Sequence, residues 1–166
     1  MFSLEVIMKY SQVKKYIVIP VLKQMSIPYS EEAVELLLMT CAHESNGGEY
    51  IKQIEGPALG IYQMEPSTHD DIWNNYLEFR MELKRDLTSQ SAFYDVDASE
   101  MIGNMYYATA MARIHYWRVP EPIPKLYQGL SESGLAQYCK DHYNTYLGKA
   151  TPEKYLSDYL RWRNEG

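Results

Sequence analysis

The chain has little cysteine, only Cys41 and Cys139 in 166 residues. That excludes a disulfide-dense scaffold and a four-cysteine zinc site. It has no basic surplus either: 16 Lys and Arg stand against 22 Asp and Glu, a net charge of −6. A dedicated nucleic-acid binder needs a basic face to neutralise phosphates, so the balance argues against that class of partner. Long apolar runs are missing as well. The longest near the start, Tyr16 to Leu22, falls far short of the roughly 20 residues that span a bilayer. Glu5, Lys9, Lys14 and Lys15 interrupt the first residues and no small-residue cleavage site follows them, so they do not read as a secretory signal. The expectation is a protein made in a cytoplasm, without a membrane span, whose two thiols stay reduced. Repeats, low-complexity tracts and Gly/Ser linkers are absent too. One domain over residues 1–166 is therefore expected, with 1–30 as an N-terminal helical extension on a core of 30–166. Phenylalanine is scarce, three residues against sixteen tyrosines. Tyrosine joins an apolar face to a polar tip, which suits both the edge of a core and a groove for ring-shaped polar ligands.

What is present is helical periodicity and segregated charge. Residues 1–30 carry a net +3, residues 31–100 a net −11, and the remainder +2. Ser11 to Met25 reads as a first helix, with Pro20 bending or bounding it. Ser30 caps a second, with Glu31 and Glu32 in its first turn, where the helix dipole favours anions. That helix is apolar around nearly its whole circumference, the mark of a fully enclosed element, and Gly47-Gly48 supply its stop. Residues 49–64 lack a helical period and read as a small irregular β-hairpin patch. Further helices are expected from Pro66 to Leu83 with Ser67 and Asp70 in capping-box spacing, from Ala98 to Trp117, from Ser133 to Tyr143, and from Thr151 onward. The fold class is mainly α with one small non-helical patch.

Glu44 is the residue most suited to chemistry. It ends the most enclosed helix, immediately before the glycine turn. Burial beside an apolar core and the partial negative charge of a helix C-terminus both favour its protonated form. A carboxyl kept protonated near neutral pH can serve as a general acid on a glycosidic oxygen. The neighbouring His43 does not build a metal site, because the zinc motif His-Glu-x-x-His needs a second histidine where Gly47 stands. His69, His115 and His142 are scattered singly, so neither a metal nor another cofactor is expected.

Three segments occur in a telling order: Cys41-Ala42-His43-Glu44-Ser45, then Gly60-Ile61-Tyr62-Gln63 leading to Pro66-Ser67-Thr68, then Tyr143-Asn144 with Gly148 shortly after. Together they resemble the lysozyme-like superfamily, in the soluble lytic transglycosylase type and its phage-encoded relatives. The resemblance covers roughly two-thirds of the chain and departs from the usual pattern at Tyr62 and Thr145. It implies an α+β lysozyme-like fold and a muramidase that cleaves the β-1,4 bond between N-acetylmuramic acid and N-acetylglucosamine. Glu44 would be the single catalytic acid and base, and Ser45, Gln63, Tyr143 and Asn144 would bind or position the glycan strand. Tyr62 and Tyr146 join them as candidate faces for sugar stacking. A two-carboxylate hydrolase needs a partner across the cleft, for which Glu49, Glu55, Glu65, Asp70 and Asp71 are open. Without one, attack by the sugar's own 6-hydroxyl gives a 1,6-anhydro product. The resemblance further implies a virion-associated protein, or one released on lysis, with other virion proteins as partners. The alternative is a non-catalytic lysozyme-like component of a phage particle, structural or carbohydrate-binding.

Overall fold

The computed structural model describes residues 8–127, 132–144 and 148–165, and the chain is mainly helical. The first helical stretch runs as α1 (Tyr10–Val13), a π-helical turn (Lys14–Val18) and α2 (Ile19–Gln24). Pro20 cannot donate a backbone hydrogen bond, and the wider turn directly before it takes up the resulting slack. Val13, Val18, Val21 and Leu22 enter the same core as the later helices. Residues 10–24 are therefore part of the packed body rather than an appendage to it.

The centre of the molecule is α3 (Glu31–Ser45). Ser30 Oγ accepts a hydrogen bond from the Ala33 N–H at 3.1 Å, which caps its first turn. Asn46 adopts the left-handed conformation that ends it, with φ 51°, and Gly47 N–H closes back on Cys41 O at 3.2 Å. A Cβ on Gly47 would lie 2.4 Å from the Trp162 indole nitrogen, so only glycine lets the turn pass beneath that ring. Eleven of the fifteen residues of α3 are buried, enclosed by the π turn at 14–18 and by α7 (Met105–Trp117), α8 (Glu132–His142) and α9 (Pro152–Glu165).

Two expected helices are divided. The helix opening at Pro66 runs as α4 (Pro66–Asp71) and a π turn (Ile72–Tyr76), then breaks before α5 (Met81–Gln90). The break turns the chain so that Leu77, Leu83 and Leu87 all reach the core, whereas Phe79 is left 84% exposed. Its N-cap position is Glu65, so Ser67 lies inside the first turn and does not form the expected capping box. The long helix of 98–117 is likewise split into α6 (Glu100–Gly103) and α7. Between them Asn104 turns extended, and its Oδ1 accepts from the Tyr107 N–H at 3.0 Å, recapping the second piece.

Residues 49–64 form two isolated antiparallel bridges, Lys52 with Leu59 and Leu59 with Met64, and no strand is found among the described residues. Left-handed backbone at Glu55, Gly60 and Gln63, and a proline at 57, turn the chain too often for a ladder to extend. Gly60 is required here, because a Cβ would lie 2.3 Å from the Met101 carbonyl of α6. Among the described residues no helix is long and apolar enough to cross a membrane.

Candidate active site

The enclosed end of α3 and the pressed-in turn at Gly60 meet across a cleft of about 750 Å³, within the roughly 300–1,000 Å³ typical of ligand sites. Glu44 from α3, Gln63 from the Gly60 turn, and Tyr143 and Asn144 from the end of α8 all line it. Residues spread over a hundred positions of sequence are thus brought to one surface. Tyr146 lies outside the described residues.

Glu44 is part-buried, and its Oε1 accepts a hydrogen bond from the Tyr155 hydroxyl of α9 at 2.7 Å. Burial raises the pKa of its carboxyl above the ordinary value, and the Tyr155 bond and the adjacent His43 pull it partly back. The rise comes from desolvation rather than from the surplus acidic charge of residues 31–100, none of whose carboxylates contributes to it. Tyr155 is itself held in place, its ring lying 3.9 Å from that of His43 between centroids. His43 Nδ1 pairs at 2.9 Å with Asp158, a carboxylate that Lys154 and Arg161 also approach, at 2.6 and 3.3 Å. The side chain that touches Glu44 is therefore braced by a satisfied ion cluster behind it.

Gln63 holds a left-handed backbone with φ 47°, a conformation that costs a non-glycine residue of the order of 1–3 kcal/mol. Its Nε2 donates to Gly60 O at 2.8 Å, which fixes the side chain at the rim of the cleft. The Tyr143 hydroxyl donates to Tyr62 O at 2.7 Å, locking the end of α8 to the same turn. Asn144 Oδ1 accepts from Lys140 Nζ at 3.3 Å, and that ammonium also reaches Gly148 O at 2.8 Å.

Two of the expected binding residues face elsewhere. Ser45 is fully buried; its Oγ donates to Cys41 O at 3.1 Å and accepts from the Gly48 N–H at 2.9 Å, so it closes the helix end and touches no ligand space. Tyr62 is 1% exposed, with its hydroxyl bonded to Thr109 Oγ1 at 2.9 Å, and has no free face on which a sugar could stack.

Of the five carboxylates considered as partners to Glu44, only Glu65 lines the cleft. Glu49 accepts from Asn46 Nδ2 and Asp70 pairs with His69 at 2.9 Å. Asp71 is held below its usual range by hydrogen bonds from Asn75 and Arg118, and Glu55 stands exposed. Asp141 lines the cleft unannounced, as do His115 and Arg118. Arg118 donates to Asp71 at 2.7 Å and lies 3.2 Å from His115 Nδ1. A guanidinium only donates, so His115 Nδ1 is an acceptor there and its ring proton sits on Nε2. Burial and the Arg118 charge push His115 down to about 4, leaving a neutral imidazole in the cleft wall. Neither residue carries a local motif; only their three-residue spacing at the end of an enclosed helix hinted that they share a face.

No protein-family profile, curated protein or solved structure matches the chain.

Proposed function

We propose that the protein is a peptidoglycan-cleaving muramidase of the lytic transglycosylase type, with Glu44 as its general acid and base. The observation that carries this reading is a carboxyl whose protonated form burial favours, opening into a cleft that also gathers Gln63, Tyr143 and Asn144. Protonated Glu44 gives its proton to the oxygen of the muramyl bond as it breaks. The resulting carboxylate, stabilised by the Tyr155 hydroxyl, then takes the proton of the incoming hydroxyl. With the sugar's own 6-hydroxyl as nucleophile, the glycan end is closed as a 1,6-anhydro ring and no water is consumed. The reading carries with it a lysozyme-like arrangement in which 49–64 is a reduced β patch, and delivery to the wall in a virion or on lysis.

The test is release of soluble fragments from purified peptidoglycan, with mass spectrometry of the products. The expected fragments end in anhydromuramic acid, one water lighter than a reducing end. Reducing ends instead would make the enzyme a hydrolase and call for Glu65 or Asp141 as the second carboxylate. No release at all would favour the non-catalytic virion component.

Tyr155 gives a second prediction. Its hydrogen bond stabilises ionised Glu44, so Tyr155→Phe lets the carboxyl pKa rise further. The pH–rate profile of the variant is expected to keep its shape while the limb governed by loss of the Glu44 proton moves to higher pH. An unmoved limb would show that Tyr155 does not act through Glu44.

A further inference from the structure

Arg113 is the most unusual cation in the molecule. It lies on α7, only 5% exposed, and no hydrogen bond or ion pair reaches its guanidinium from any described residue. Buried arginines are ordinarily paired, because an uncompensated charge in the interior is costly. Here the guanidinium lies 5.4 Å from the centroid of the Trp117 ring, and desolvation lowers its pKa to about 10. Among the described residues no side-chain nitrogen is both unpartnered and wholly closed off, so the guanidinium keeps a narrow window to solvent. That window opens into a hollow of about 560 Å³ on the side of α7 away from Glu44.

We propose that this hollow is a binding site for a monocarboxylate carried on a flat apolar body, with Arg113 as the partner of the carboxylate. The fork of a guanidinium matches two carboxylate oxygens, and the match gains strength where water is excluded. The walls suit the rest of the ligand: Trp117, Pro120, Pro122 and Ile123 offer flat or aliphatic surface, with the Trp117 indole N–H as their one side-chain donor. The Tyr138 hydroxyl is spent on Glu121 O at 2.8 Å. Charge sets the valence. Glu32 and Glu121 also border the hollow, and Lys125 stands 4.0 Å from Glu32. With Glu32 offset by Lys125, Glu121 remains as the second anion at the border, so a ligand with one negative charge is repelled less than a phosphate dianion would be. The site is independent of the glycosidase reading, since it shares no lining residue with the Glu44 cleft.

The probe is 3-phenylpropionate, followed through the indole N–H resonance of Trp117 in a nitrogen-15 spectrum and compared with the neutral 3-phenylpropionamide and with phenyl phosphate. Trp117→Phe assigns the resonance. The acid is expected to shift it saturably, with the amide at least tenfold weaker and the phosphate ester also weaker. Arg113→Lys, which keeps the charge but loses the fork, is expected to weaken the acid and leave the amide unchanged. The acid–amide comparison needs no variant, so it stands even if Arg113→Lys does not fold. Equal binding of acid and amide, absence of any saturable shift, or a preference for the phosphate ester would each overturn the proposal.

Discussion

Glu44→Gln is expected to lose peptidoglycan cleavage by about 10²- to 10⁴-fold, the usual contribution of a positioned general acid, and to be more stable than the wild type at neutral pH. The amide preserves shape and still accepts the Tyr155 hydrogen bond, but it has no proton to give. The stability gain follows from the direction of the pKa shift. The folded carboxyl titrates above the unfolded one, so the folded chain holds its proton over a range where the unfolded chain has released it. Stability from this group is complete below the unfolded value, about 4.3 for a free glutamate, and is lost as the pH rises through the folded value. A glutamine loses nothing over the same range. Melting temperatures of the two proteins should therefore converge in acid and separate, with the variant higher, toward neutrality. Retained cleavage would place the acid elsewhere. Lost cleavage with a melting point lowered at every pH would make Glu44 a structural residue.

The part of this site that sequence alone could reveal is the part set by neighbours in the chain. The cap at Ser30 and the stop at Asn46-Gly47 are local chemistry, and they put Glu44 at the end of an enclosed helix before any fold is known. Which way a side chain faces is set at longer range. Ser45 follows Glu44 by one residue, but on an α-helix that is a turn of about 100°, enough to carry it from the cleft into the core. Tyr62 sits between Gly60 and Gln63, and its direction is decided by Thr109, forty-seven positions away. His115 and Arg118 came to the cleft through packing of α7 against α3, for which no pattern of residues nearby gives a signal. The divided helices fail for a related reason. Apolar spacing continues through Tyr76 and through Gly103, but the backbone turns where burying Leu77, or recapping at Asn104, offers more than an unbroken run.

The tyrosine excess acquires a structural meaning. Tyr62, Tyr107, Tyr116, Tyr155 and Tyr159 are among the largest fully buried side chains, where phenylalanine would ordinarily serve. Their hydroxyls are bonded to Thr109, His69, Thr40, Glu44 and Glu35 respectively. A core built this way can take polar groups into its interior, including the carboxylate of the proposed acid, because each has a donor waiting. The sugar-stacking role expected of Tyr62 is therefore replaced by a role in fixing the frame. The Tyr143 ring packs in the same layer, 5.3 Å from Tyr116 and 5.0 Å from His115 between centroids, with an edge left to the cleft.

The largest effect on stability is expected at Glu35, about one turn and a half from the Ser30 cap of α3. This carboxylate is 8% exposed and gathers three donors: the Tyr10 hydroxyl at 2.5 Å, the Tyr159 hydroxyl at 2.6 Å, and the Lys14 ammonium. It thus fastens α1 and its π turn to α9 through the central helix, joining both ends of the described chain. Glu35→Ala removes the acceptor and leaves the buried Tyr159 hydroxyl, the part-buried Tyr10 hydroxyl and a half-buried cation without it. Breaking a buried charge pair costs about 3–5 kcal/mol, and Lys14 can turn toward water, so the low end, about 3 kcal/mol, is expected here. For a chain of this length that lowers the melting temperature by about 6–12 °C. Glu35→Gln, which keeps an accepting oxygen but no charge, should lose less. Tyr159→Phe in the Glu35→Ala background should add less than it does alone, because the two residues share one bond. A Glu35→Ala protein within about 0.5 kcal/mol of the wild type, the range of ordinary surface substitutions, would show that the terminal helices are held by their apolar contacts alone.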